Sequence, residues 1–237
     1  MGKSVLVTGG TGAVGRDIVR KLTAAGWQTA FTWRSSREKA EALAKETGAF
    51  AVEADLTDSA QVNRMAALIE EKFGPLDGLV NNAGMTQVMP FAMIEEEDWD
   101  KVITANLKTM FLVTYAVVRG MIRKKSGVIV NIGSLAGHRM LEVPVHYATA
   151  KAGVTGFTLS LAREMSRYHI RVNEVVPGLL SDGVGKMVPE AEMKEYLKYC
   201  TAGRPGQPAE VAELVEFLLS DRATYINAQS ISINGGI

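Results

Sequence analysis

The sequence is poor in several things, and each scarcity excludes something. It holds one cysteine, Cys200, in 237 residues. One thiol forms no internal disulfide and no thiolate zinc site, which excludes a stapled secreted scaffold. Neither sign of charge is in excess, with 26 basic and 26 acidic side chains. That balance argues against a global grip on nucleic acid or an anionic membrane, and at 47% hydrophobic residues the chain is not disordered. No uninterrupted run of about 18 apolar residues occurs, so no membrane span is expected. Lys3 leads straight into the short run Ser4–Thr8, too brief for a signal peptide, and a cytoplasmic location is the default. His138 and His169 stand too far apart in sequence to suggest a metal site, and no metal is expected.

Glycine, in contrast, is abundant: 23 of 237 residues, against a usual share of roughly 7%. Its placement follows a repeating order of elements. Short apolar runs predict strands at Ser4–Thr8, Gln28–Trp33, Phe50–Ala54, Leu76–Val80, Val128–Ile132, Ile170–Val176 and Ser230–Ile233. Amphipathic stretches predict helices at Ala13–Ala25, Ser36–Thr47, Asp58 to Phe73, Trp99–Arg123, Tyr147–Tyr168 and Pro208–Leu219. Such β-α alternation implies an α/β fold: a central parallel sheet of about seven strands, doubly wound, with helices on both faces. A single domain over 1–237 is expected. The irregular stretch 179–206 is too long for a plain connection and is expected to be a partly helical lid over a site.

The first glycine cluster, Gly9-Gly10-Thr11-Gly12-Ala13-Val14-Gly15, joins the first strand to the first helix. Backbone N–H groups at such a turn, with the helix N-terminus, hold a pyrophosphate. At the end of the second strand, where the 2′-position of a dinucleotide lies, the sequence places Arg34 and Ser35 and no acid before Glu38. A guanidinium fork and a hydroxyl suit a 2′-phosphate, which favours NADP(H) over NAD(H). Arg37 is a second basic candidate there. Tyr147 and Lys151 stand four apart on one helical face. A cation beside a phenol stabilises tyrosinate and brings its pKa toward the working range. Ser134, just past the fifth strand, offers a hydroxyl to a substrate oxygen.

Together these segments resemble the short-chain dehydrogenase/reductase family, over essentially the whole chain. Thr8-Gly9-x-x-x-Ala13-x-Gly15 matches the family's cofactor loop, with Ala13 where glycine is more usual. Asn81-Asn82-Ala83-Gly84, Asp55-Leu56, and Pro177-Gly178 match further cofactor motifs, and Asn106, Ser134, Tyr147 and Lys151 match the catalytic tetrad. The resemblance implies a Rossmann-type domain. It also implies that Tyr147 donates a proton to a carbonyl oxygen, Lys151 lowers its pKa and bonds the nicotinamide ribose, Ser134 polarises the carbonyl, and Asn106 holds a relay water. Asp55 bonds the adenine, Asn82 and Gly84 line the adenosine side, and Pro177-Gly178 the nicotinamide. The family's threonine shortly after Pro-Gly is missing; Ser181 or Asp182 takes that position.

Gly203 to Val211 and the ending Gln229 to Gly236 resemble 3-oxoacyl-[acyl-carrier-protein] reductases. The resemblance implies NADPH-dependent reduction of a 3-oxoacyl thioester, a homotetramer, and an acyl carrier protein received on Lys124, Lys125 and Arg167. An NAD(P)-dependent alcohol or sugar dehydrogenase is the alternative, and a non-catalytic dinucleotide sensor a remote one. Met89, Met93, Met140 and Met187 fall in loops near the expected cleft.

Overall fold

The structure, a computed structural model, describes residues 2–237; the side chain of Met187 lies outside what it describes. Seven strands form one all-parallel sheet: β1 (Ser4–Val7), β2 (Gln28–Trp33), β3 (Phe50–Glu53), β4 (Gly78–Asn81), β5 (Gly127–Ile132), β6 (Ile170–Pro177) and β7 (Ser230–Ile233). Their order is β3-β2-β1-β4-β5-β6-β7. The winding reverses between β1 and β4, and a crevice opens there beyond the carboxyl ends of the strands.

Alternation along each strand divides the core. Val5 and Val7 of β1, with Phe31 of β2, pack beneath α1 (Ala13–Ala24), α2 (Arg37–Thr47) and, later in the chain, α8 (Pro208–Leu219). Leu6 and Ala30 face the other way, toward α3 (Ser59–Phe73), the α4–α5 helix described below, and α6 (Val145–Met165). Successive side chains of a strand point to opposite faces, so near-continuous apolar strands belong to a sheet covered on both sides.

Helix ends follow local chemistry. Asp58 caps α3 by accepting from the N–H of Ala60 at 2.8 Å. Pro208 opens α8 at a position where its missing N–H costs nothing. The predicted helix Trp99–Arg123 starts earlier, at Glu96, because Glu95 and Asp98 form a capping box. It also consists of two α segments, α4 (Glu96–Ile103) and α5 (Thr109–Lys124), joined by a π-turn over Thr104–Lys108. Glu96–Lys124 as a whole is long and apolar enough, by length and composition, to cross a membrane. It is instead packed against α3 and α6. The stretch 179–206, expected as a lid, contains a 3-10 turn, Gly183–Met187, and α7 (Glu190–Tyr199).

Candidate active site

A cleft of about 1070 Å³ runs along the carboxyl ends of the strands, from Arg34 and Asp55 at one end to Tyr147 and Lys151 at the other. All four members of the expected tetrad line it, as do all the expected cofactor residues.

The glycine loop is built for close approach. Gly9 takes φ +66°, and a Cβ at Gly15 would lie 2.2 Å from the Gly9 carbonyl oxygen. A Cβ at Gly12 would meet only that same oxygen, at 3.4 Å, so this side of the loop is open. The Thr32 hydroxyl accepts from the Gly9 N–H at 3.1 Å. The Thr8 hydroxyl accepts from the N–H groups of Asn82 and Ala83 at 2.9 and 3.0 Å. Asn82 Nδ2 returns a bond to the Thr8 carbonyl at 2.9 Å. These bonds fasten the Asn82–Gly84 turn to the loop. Asn81 plays a different part: its amide bonds Thr114 and Asn131, each at 2.9 Å, and joins α5 to the sheet.

At the end expected to take the adenine, Arg34 is 65% exposed and its guanidinium lies 3.7 Å from Asp55. Hydrogen bonds from Thr57, reinforced by Arg34, hold the Asp55 carboxyl below the usual carboxylate range. Arg37 points elsewhere, bonding Glu53 at 2.8 Å and stacking over Trp33.

At the other end, the Lys151 ammonium donates to the Ile132 carbonyl at 3.0 Å and sits 5.8 Å from the centre of the Tyr147 ring. Burial pushes Lys151 down to about 8, opposed by the charge of Glu174. Burial pushes the Tyr147 phenol above its ordinary value, opposed by a hydrogen bond with Ser134. Asn106 sits within the π-turn. Its amide donates to the carbonyls of Met85 at 2.7 Å and Val102 at 2.9 Å, and its oxygen accepts from Met85 N–H at 3.3 Å. A Cβ on Gly84 would lie 2.5 Å from that oxygen and 3.7 Å from Lys151 Nζ, so only glycine lets the two groups share the space. A π-turn breaks the helical ladder and often marks a functional site.

Several expectations need correction in detail. Of the two candidates after Gly178, Asp182 lines the cleft and Ser181 does not; Ser181 donates to Gln207 at 2.7 Å. Asp182 is engaged by Arg16 and by Lys186, and its carboxyl lies well below the usual range. Lys124 is turned inward onto Asp77 at 2.5 Å and the Pro75 carbonyl at 3.1 Å. Lys125 and Arg167 are exposed. Among the methionines, Met140 and the unanticipated Met85 line the cleft, whereas Met89 and Met93 do not. Cys200 is buried against backbone carbonyls.

Three further residues of the site were missed in the sequence. Tyr196 of α7 reaches down to the nicotinamide-side turn, where its hydroxyl accepts from Leu179 N–H at 3.0 Å. Arg16 meets the lid at Asp182. Glu174 lies fully buried in β6. Its visible signal was an acid inside a mostly apolar strand, beside Asn173 and before Val175-Val176.

The short chain dehydrogenase family model matches residues 3–193. The chain belongs to that family. It is 37% identical to 3-oxoacyl-[acyl-carrier-protein] reductase FabG of Staphylococcus aureus (strain N315), over 100% of this chain and 98% of that one. It is 38% identical to the reductase MabA of Mycobacterium bovis, over 99% and 92%. A solved short-chain dehydrogenase/reductase mutant from Serratia marcescens superposes with a TM-score of 0.94 at 30% identity, covering 100% of this chain and 98% of that one. The protein is thus an oxidoreductase acting on CH–OH and C=O groups with a nicotinamide dinucleotide.

Proposed function

We propose that this enzyme reduces the 3-oxo group of an acyl thioester with NADPH, and that Asn106, Ser134, Tyr147 and Lys151 carry the reaction. The observation that supports this most is the meeting of those four side chains in one cleft with the glycine loop and Arg34. The fit of the cofactor rests on the same geometry: an open face at Gly12, backbone N–H groups at the start of α1, and an exposed guanidinium beside Ser35 at the 2′-end. When bound, the nicotinamide supplies the hydride.

The chain's own residues do the rest. The Ser134 hydroxyl, on the same wall of the cleft as Tyr147, holds the carbonyl oxygen beside the phenol. Tyr147 gives that oxygen its proton, and the Lys151 ammonium stabilises the tyrosinate left behind. Asn106, by fixing the Gly84–Met85 backbone, keeps space open beside Lys151 for a relay water. The acyl-thioester substrate is supported by the printed names of the relatives. With Lys124 satisfied internally, Lys125 and Arg167 are left as the basic groups for an acyl carrier protein. Phe111 and Tyr115 on α5 and Leu159 on α6 are about half exposed, which supports packing of these helices in a homotetramer. A cytoplasmic location goes with this reading.

The test is a panel under NADPH and under NADH: carrier-linked and CoA-linked 3-oxoacyl thioesters, simple ketones, and secondary alcohols in reverse. The thioesters should have the highest kcat/KM and NADPH should beat NADH. A preference for NAD with sugars or alcohols would overturn the proposal in favour of a dehydrogenase. No turnover with any substrate would favour a sensor.

A further inference from the structure

Directly behind the catalytic turn lies a carboxylate that the scheme above does not use. Glu174 of β6 has no solvent exposure. Its Oε2 accepts from the Ser230 hydroxyl of β7 at 2.5 Å. Its Oε1 accepts from the Thr155 hydroxyl of α6 at 3.3 Å and lies 3.5 Å from His138 Nε2. His138 also meets the Thr155 hydroxyl at 3.0 Å and is 24% exposed. The same Oε1 presses on Gly133, where a Cβ would lie only 2.0 Å away. Gly133 sits between Ile132, whose carbonyl takes the Lys151 ammonium, and Ser134. The carboxylate therefore underlies the one residue, Gly133, that joins the lysine's anchor to the carbonyl-holding hydroxyl.

Burying an acid this completely is costly unless bonds and an opposite charge compensate it. Two hydroxyls and an imidazole edge supply the bonds. The titratable groups around it are His138, from the turn after β5, and Lys151, from α6, with Tyr147 one helical turn before the lysine; β7 contributes the Ser230 hydroxyl. Arg171, on the same strand, donates instead to the carbonyls of Leu218 and Ser220.

We propose that Glu174 is a positioning residue that sets the proton affinity of the Tyr147–Lys151 pair from behind the Gly133 peptide. Its charge adds to the proton affinity of Lys151, opposing the burial that lowers it. The sign is the same for both members of the pair. Removing a buried negative charge makes the ammonium less favourable and the tyrosinate more favourable, so both protons leave at lower pH. This proposal rests on Tyr147 being the proton donor, and its test has a readout that needs no turnover.

Two charge-free variants are compared with one that keeps the charge. Glu174→Gln keeps one hydroxyl as donor to its oxygen and lets its NH2 donate to the other, which turns to accept. Glu174→Val removes them but suits a buried strand and replaces an ionic group by a packed apolar one, a change that folds tolerate. Glu174→Asp retains the carboxylate. The first readout is tyrosinate absorbance against pH, taken as the difference from the same protein carrying Tyr147→Phe. The second is the alkaline limb of ketone reduction. Glu174→Gln and Glu174→Val should move both midpoints about one pH unit lower, and Glu174→Asp should leave them near wild type. Unmoved midpoints in either folded charge-free variant would overturn the proposal, as would an equal shift in Glu174→Asp. A Tyr147 midpoint that moves in a protein reducing no ketone would keep this proposal and sink the function above. Turnover with an unmoved limb would do the reverse.

Discussion

The two ends of the cleft carry similar groups in opposite surroundings. At the Arg34 end of the cleft, Arg34 and Asp55 stand 3.7 Å apart, the arginine two-thirds exposed. At the Tyr147 end, Lys151 and Glu174 are both buried, the lysine at the wall of the cleft and the carboxylate behind it. Charges in water are screened and individually weak, whereas charges behind a closed wall shift each other's protonation strongly. The exposed end can therefore select a ligand by its charge without altering the chemistry. In the proposed reaction, the buried end is where protons move, and a loose charge there is costly.

The sharpest way to break this contrast is at the phenol. Tyr147→Phe should lower ketone reduction by about 10²–10⁴-fold, the usual worth of a general acid. Cofactor binding, measured by fluorescence or absorbance titration, should stay within about twofold, because binding energy resides mainly in the loop and the exposed end. If reduction survives, the buried end does not hold the acid.

Lys151 tests the same end through pH and stability. Reduction should fall as pH rises through about 8, where the lysine loses the charge that stabilises tyrosinate. Lys151→Met should abolish that limb along with most of the activity. It should also raise stability near pH 7, because burial that lowers the lysine to about 8 makes holding its charge costly to the fold. Adding Glu174→Val should be more favourable to stability in the Lys151→Met background than in wild type, measured by denaturant titration, while restoring no activity. An equal change in both backgrounds would mean that the two charges are not coupled.

How much of this was legible in the sequence differs between backbone and side chains. Strands came out within one or two residues, because runs such as Val128–Ile132 are apolar on both faces of a covered sheet. The helix Pro208–Leu219 matched at both ends, since a proline opens it and a serine ends it. The π-turn at Thr104–Lys108 was invisible: one inserted residue does not disturb an apolar pattern spread over 29 residues. That Asn106, Ser134, Tyr147 and Lys151 meet in one cleft was legible from their motifs. What surrounds it was not, because Lys124 meeting Asp77, or Ser181 meeting Gln207, depends on partners 47 and 26 residues away. Glu174 was missed because a strand is recognised by its apolar residues and its single acid passes as a defect.

At the exposed end the effects should be smaller and confined to the cofactor. Arg34→Ala should weaken NADPH by about tenfold, the worth of one partly screened charge-assisted bond. It should leave NADH affinity and the alkaline limb unchanged. Raising the salt concentration should reduce the NADPH preference of the wild type in the same direction. An equal loss for both cofactors would mean that Arg34 does not read the 2′-phosphate.

The smallest effect is expected three residues further on, and it separates geometry from proximity. From the sequence, Arg34 is the first basic candidate after β2 and Arg37, at the start of α2, the second. In the structure Arg34 borders the cleft, whereas Arg37 has turned to Glu53 at 2.8 Å and lies over the Trp33 ring at 5.1 Å. Both partners of the Arg37–Glu53 pair are more than half exposed, so the pair contributes little to stability. Arg37→Ala should therefore change the NADPH-to-NADH ratio by less than about twofold and stability by less than about 1 kcal/mol. If instead Arg37→Ala matches Arg34→Ala in the ratio, the guanidinium must leave Glu53 when the phosphate arrives. The exposed end would then be a mobile pair of arginines sharing one anion, and a rearranging charge would set cofactor choice there, in contrast to the fixed carboxylate behind Gly133.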